Sequence, residues 1–149
     1  MFGFFKKKKL SQVDQIFRSL DKESIDKLTL AAKLIILMQY KFEWQPNYSK
    51  TIHSKFIRGY TFGYFEVAIP RFGLPNSEDE AILRIIIGHA IVFGSEIDAI
   101  QYVKDSINMQ DDPDYAAALQ AGGEDFYDAM DKDYNLHKLR DFYLDNCNA

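Results

Sequence analysis

Apolar residues recur along the chain mainly at the three- and four-residue spacing that is typical of amphipathic α-helices. The first such segment follows Ser11, whose hydroxyl is suited to cap a helix. Its apolar stripe consists of Val13, Ile16, Phe17 and Leu20. The next segment, 25–42, is apolar on more than one side, so we expect a central, buried helix there.

Two glycines and a capping pattern mark the middle of the chain. Gly59 and Gly63 lie four residues apart in the segment 48–69, on a helical face where another backbone can come close. Residues 64–69 are rich in aromatic and branched side chains, so the pattern leaves helix or short strand open there. Ser77, with a glutamate three residues later, forms a capping box ahead of a strong apolar stripe. This is the clearest helix start in the sequence.

The remainder of the chain also has a helical pattern. Pro113 is suited to the first turn of a helix, which the pair Gly122–Gly123 is expected to break, and two short helices over about 124–132 and 136–144 follow. The pattern as a whole predicts an all-α fold. We expect a single-domain helical bundle or array of about six to eight helices over residues 11–149, preceded by a basic and aromatic tail over residues 1–10.

Composition supports a folded domain. The 149 residues are 47% hydrophobic and 27% charged, values near the globular average, which argues against a disordered or low-complexity chain. Cys147 is the only cysteine, so the chain has no internal disulfide. A reducing compartment is therefore favoured, and we expect a cytoplasmic protein of bacterial type.

Charge is divided unevenly between the two halves. Residues 1–75 contain 13 basic and 6 acidic side chains, whereas residues 76–149 contain 5 basic and 16 acidic ones. So acidic a second half does not favour binding to nucleic acid. It favours a basic partner instead.

Catalytic patterns are weak. No phosphate-binding loop, zinc-protease spacing, di-iron motif or nucleophile elbow is present, and we expect neither a cofactor nor a metal. His89 lies on an apolar stripe, where a hydrogen-bonded core histidine is the commoner case. One alternative stays open, a small helical enzyme with a polar site formed by Glu66, His89 and Arg58.

The first nine residues are not a typical secretory signal, because the aromatic residues precede the lysines. No apolar run approaches the length of about 20 residues that a membrane span needs. The tail nevertheless suggests a second alternative, a peripheral membrane component in weak contact with an anionic surface. The residues that would make this contact are Phe2, Phe4, Phe5, Lys6, Lys7, Lys8 and Lys9.

The favoured interpretation is a non-enzymatic binding protein whose acidic C-terminal half engages a basic protein partner. An inhibitor, an adaptor or a toxin-neutralising immunity protein acts by such charge complementarity, with aromatic side chains as anchors. The predicted partner-binding residues are Asp111, Asp112, Asp114, Tyr115, Glu124, Asp125, Phe126, Tyr127, Asp128, Asp131, Asp133 and Tyr134. Only one basic residue, Lys132, lies inside this span, so we expect the segment not to neutralise its own charge.

Overall fold

The computed structural model describes residues 11–133 and 135–147, and within them it contains eight α-helices and no strand. The helices are α1 (Gln12–Ser19), α2 (Lys22–Tyr40), α3 (Tyr48–Thr51), α4 (Lys55–Arg71), α5 (Glu78–Phe93), α6 (Ala99–Ile107), α7 (Pro113–Asp128) and α8 (His137–Cys147). A 3-10 turn, Gly94–Glu96, follows α5, and a π-helical turn, Ala129–Asp133, follows α7. The predicted all-α array is confirmed, and residues 64–69 are helical.

Short polar side chains begin most of the longer helices. The hydroxyl of Ser11 accepts a hydrogen bond from the Asp14 N–H at 3.1 Å, as predicted. The helices α2, α4, α6 and α7 are capped in the same way, by side chains that accept a hydrogen bond from a backbone N–H of the first turn. These capping residues are Asp21, Ser54, Asp98 and Asp112. At α5 the Ser77 hydroxyl instead donates to the Glu80 carboxylate at 3.0 Å.

The centre of the fold is the contact between α4 and α7, which run parallel. Gly59 lies beside the Tyr115 carbonyl, and Gly63 lies beside the backbone of Leu119. The predicted backbone approach at these two glycines is therefore confirmed. The predicted helix break at Gly122–Gly123 is wrong, because α7 continues through both residues and uses Gly122 to meet the α4 backbone.

The expectation that α2 is central is also wrong. One of its two apolar stripes is buried, including Leu28, Ala32 and Ile35, whereas Leu30 and Leu37 on the other stripe are exposed. The central helix is α4, which is buried without interruption from Ile57 to Phe65. A helix with two apolar sides thus lies at the periphery and leaves one side uncovered.

The last helix closes the core against the middle of the chain. The ring of Tyr143 on α8 stacks on Phe42, with 5.2 Å between centroids, and on Tyr48, with 6.0 Å between centroids. The Asn47 N–H donates to the Cys147 carbonyl at 3.4 Å. Residues about a hundred positions apart in the sequence therefore share one aromatic cluster.

Candidate functional site

A cleft of about 540 Å³ opens between the second half of α4, the first half of α5 and the end of α6. Its floor consists of Phe62, Ile69, Pro70, Ala81, Ile82, Ile85 and Ile107. Its rim consists of Glu66, Asn76, Glu78 and Gln110. We call it the acidic cleft, because both of its charged lining residues are glutamates.

Helical spacing produces this arrangement. On α4, Phe62, Glu66 and Ile69 recur four and three residues apart, so one side of the helix carries a carboxylate between two apolar side chains. On α5, Glu78 lies in the first turn, where the helix dipole favours an acidic side chain, and Ile85 lies two turns later. The two helices together place carboxylates at the edge of an apolar floor.

The carboxyl group of Glu66 is open to solvent on one side and lies against the apolar floor on the other. Its partial loss of hydration raises its pKa above the usual value. Within the described ranges Glu66 has no ion pair or hydrogen-bond partner. A cation in the cleft would stabilise the charged form of this side chain.

Glu66 also acts on the buried side chain of Tyr115. The Tyr115 hydroxyl is shielded from solvent and has no hydrogen-bond partner among the described residues. Burial raises the pKa of Tyr115 to about 12, the charge of Glu66 adds to this rise, and the charge of Arg58 opposes it. The charge of Glu66 thus reaches the start of α7, near which the predicted partner-binding segment begins.

The residues predicted to bind a partner do not form one surface. The exposed ones are Asp111, Asp114, Tyr127, Asp128 and Asp131. The partly buried ones are Asp112 and Glu124, and the buried ones are Tyr115, Asp125 and Phe126. Tyr134 and the side chain of Asp133 lie outside what the structure describes, as do Phe2 to Lys9. Of the exposed residues in this set, Asp111 and Asp114 are the nearest in sequence to Gln110, which forms part of the rim of the cleft.

The assignment of Tyr115 and Phe126 to a contact surface needs correction. Both side chains lie in the interior, with 0% and 1% of their areas exposed. The Phe126 ring makes an edge contact with Tyr64 at 5.2 Å between centroids. Their role is core packing, because the face of α7 that meets α4 has to be apolar.

Asp125 has a structural role as well. Its carboxylate is 2% exposed and accepts hydrogen bonds from the Tyr60 hydroxyl at 2.7 Å and from the Lys138 and Leu139 N–H groups at 3.0 and 3.2 Å. These N–H groups lie in the first turn of α8, so Asp125 caps this helix from α7. Burial raises the pKa of Asp125, and the three hydrogen bonds oppose that rise.

We expect Asp125→Asn to lower the free energy of unfolding by about 2 kcal/mol, because three donors lose a charged acceptor. The matched control is Asp128→Asn, which removes an exposed carboxylate from the same helix and costs less than about 0.5 kcal/mol. Urea unfolding of both variants measures the difference. Equal stability losses would contradict the capping role.

Basic residues outside the acidic segment neutralise much of its charge, which the sequence analysis did not consider. Lys55 pairs with Asp112 at 2.6 Å, and Lys138 pairs with Glu124. Arg71 lies 3.8 Å from Asp131, and its guanidinium stacks on the Tyr127 ring at 5.0 Å. Asp128 lies 3.7 Å from Lys132, the one local lysine. In the described chain, only Asp111 and Asp114 of the exposed acids in this set lack an ion pair.

The alternative enzyme site is not assembled. His89 is fully buried among Phe62, Phe65, Phe93 and Tyr102, whereas Glu66 faces the acidic cleft. Arg58 is a structural side chain: it stacks on Tyr102 at 4.1 Å and donates to the Tyr102 carbonyl at 3.2 Å. No hydrogen bond or ion pair joins any two of Glu66, His89 and Arg58 in the described structure.

The described residues also contain no group of three or more His, Cys, Asp or Glu side chains placed to hold a metal ion. Comparison of the chain with protein families, curated proteins and solved structures gave no significant match. The fold and the site therefore define only a structural class, an all-α array with an acidic cleft over an apolar floor.

Sequence reasoning selected Glu66 but missed Asn76, Glu78 and Gln110. Asn76 and Glu78 belong to the turn and first helical turn around the capping box, and Gln110 precedes the acidic segment. Each was therefore visible as a polar residue at a helix boundary. Their common position beside α4 could not be predicted from the sequence, because it arises only when the helices pack.

Proposed function

We propose that the protein is a non-enzymatic binding protein whose acidic cleft takes a basic segment of a protein partner. The observation that carries this proposal is the lining of the cleft, in which the only charged residues are Glu66 and Glu78, set over an apolar floor. A lysine or arginine side chain has matching chemistry, because its aliphatic stem packs on apolar surface and its charged end reaches a carboxylate.

The rest of the rim fits the same kind of partner. The amides of Asn76 and Gln110 can donate to and accept from the backbone of an incoming segment. Asp111 and Asp114 are exposed just beyond Gln110 and attract a basic partner from a distance. The basic-partner proposal thus remains, but its centre moves from the acidic residues of α7 to the cleft and its edge.

Several biological roles are compatible with this proposal, and an inhibitor, an adaptor and a toxin-neutralising immunity protein all act by occupying a partner's surface. A single cysteine, Cys147, fits a reducing compartment, and we place the protein in a bacterial cytoplasm as part of the proposal.

A labelled peptide of alternating arginine and leucine tests the cleft by fluorescence anisotropy at low salt. We expect the double variant Glu66→Gln, Glu78→Gln to bind it about tenfold more weakly, because the charged ends lose both carboxylates. The matched control is the double variant Glu43→Gln, Glu96→Gln, which removes two exposed acids outside the cleft. Neutralising Asp111 and Asp114 should mainly slow association, with an effect that fades as salt rises.

Two results would overturn this proposal. One is equal peptide affinity of the cleft variant and the control Glu43→Gln, Glu96→Gln, which would mean that only the net negative charge attracts the peptide. The other is equal binding of a peptide that alternates arginine and glycine, which would mean that the apolar floor contributes nothing.

A further inference from the structure

Large apolar side chains lie in a row along the exposed side of α2 and the turn that follows it. Leu30 is 58% exposed, Leu37 is 55%, Tyr40 is 71% and Trp44 is 75%. Leu30 and Leu37 are two helical turns apart, and Tyr40 follows within the next turn. Single exposed apolar residues are common on soluble proteins, but a contiguous row marks a contact surface.

A groove of about 330 Å³ runs beside this row, between α2, the end of α4 and the π-helical turn. It is lined by Leu30, Lys33, Leu34, Leu37, Phe72 and Met130. The only charged side chain among these six is Lys33. We call the exposed row together with this groove the α2 face.

The charges of α2 favour an anionic partner. Its two exposed acids are already paired, Asp26 with Lys22 at 3.5 Å and Glu23 with Lys27 at 2.8 Å. Lys33 lines the groove and Lys41 follows α2, and neither has an ion pair in the part of the chain that is described. Glu43 is the one acidic side chain near the end of the row.

The chemistry of the α2 face distinguishes between possible occupants. Trp and Tyr side chains are enriched at the boundary between lipid and water. The α2 face has one of each, Trp44 and Tyr40. Lysine stems lie along apolar surface while the ammonium group reaches the headgroups. The charges of Lys33 and Lys41 are attracted by an anionic lipid surface and repel a basic protein.

We propose that the α2 face docks in the plane of an anionic lipid surface. None of the described helices is long and apolar enough to cross a membrane, so the contact is interfacial. The sequence of residues 2–9, with three phenylalanines and four lysines, has the same chemistry as this face. This proposal uses different residues from the acidic cleft and does not depend on it.

Trp44 is the only tryptophan, so it reports directly on this contact. We expect its emission to shift to the blue when the full chain is mixed with phosphatidylcholine vesicles that contain about one third phosphatidylserine. Vesicles of phosphatidylcholine alone should give a much smaller shift. Flotation of the protein with the vesicles measures the bound fraction independently.

The double variant Leu30→Ser, Leu37→Ser should bind the anionic vesicles at least about tenfold more weakly, because two leucines no longer enter the apolar layer. The variant Lys33→Gln, Lys41→Gln should weaken binding mainly at low salt. The matched control is Leu144→Ser, which removes an exposed leucine from α8. Circular dichroism of each variant checks that the helices remain.

Three outcomes would overturn the proposal. The first outcome is that the full chain fails to bind either kind of vesicle. The second outcome is that the triple variant Phe2→Ser, Phe4→Ser, Phe5→Ser loses vesicle binding while the leucine variant binds normally. This would leave the N-terminal segment as the sole anchor. The third outcome is that, in the absence of lipid, the Trp44 emission shifts as the protein concentration rises and the protein becomes dimeric. This would make the α2 face an interface between copies.

Discussion

Gly122→Ala is expected to destabilise the protein by about 3 kcal/mol or more, or to prevent folding. A Cβ atom on Gly122 would overlap the Tyr60 carbonyl, which belongs to the α4 backbone and cannot rotate away. The two central helices would have to separate, and overpacking of this kind costs about 1–3 kcal/mol and sometimes more. In thermal unfolding, a loss of about 3 kcal/mol lowers the midpoint by about 10 °C for a domain of this size.

The neighbouring residue provides the control. A Cβ atom on Gly123 would lie 3.0 Å from a methyl group of Val67, which is a side chain that can adjust. The substitution Gly123→Ala also gains about 1 kcal/mol of helix propensity, so the net effect should be within about 1 kcal/mol. If the two variants unfold at the same temperature, close approach of α4 and α7 is not what fixes glycine at position 122.

His89 is expected to make the protein less stable as the pH falls below about 6.5. Burial lowers its pKa to about 4, the hydrogen bond at Ile85 opposes this shift and the charge of Arg58 adds to it. Between the two pKa values the unfolded chain binds a proton that the folded chain does not, so the stability falls as the pH is lowered. A difference of two to three pKa units corresponds to about 3 kcal/mol at pH 4.

The structure gives the physical cause of this cost. The Nδ1–H of His89 donates to the Ile85 carbonyl at 2.8 Å, and Nε2 has no hydrogen-bond partner among the described residues. Protonation would place a second N–H donor in an aromatic pocket with nothing to accept it.

Urea unfolding at several pH values, compared between the native chain and His89→Gln, isolates the contribution of His89. Glu66 and Asp125 have raised pKa values and change the stability in the opposite direction, but they do so in both proteins and cancel in the difference. Parallel curves for the native chain and His89→Gln would contradict the prediction.

Local patterns were sufficient to predict the fold class. The hydroxyl of Ser11 acts within one helical turn, and the spacing of Gly59 and Gly63 places both glycines on one helical face, so these features are visible in the sequence although the helix that packs there is not. The pair Gly122–Gly123 was misread for the same reason. Two adjacent glycines destabilise an isolated helix. In the folded protein, the close packing of Gly122 on the α4 backbone offsets this loss of stability.

The candidate site depended on contacts that no local pattern records. The acidic segment appeared unneutralised because the lysines that pair with Asp112 and Glu124, Lys55 and Lys138, lie outside it in the sequence. The two apolar stripes of α2 have the same composition, and nothing within the helix indicates that one of them, including Leu30, stays uncovered. Neither feature is visible in the sequence, because the charge and burial of a surface are set by elements that meet only after folding.

The aromatic cluster of Phe42, Tyr48 and Tyr143 has a consequence for synthesis on the ribosome. Because α8 contributes one of its three rings, a growing chain that has released α2 and α3 keeps Phe42 and Tyr48 without their final neighbour until about a hundred further residues have been added. Contacts of such long sequence separation form late and slowly. Completion of the core therefore waits until α8 has left the ribosome, and until then the nascent protein presents an unfinished apolar surface to the cell.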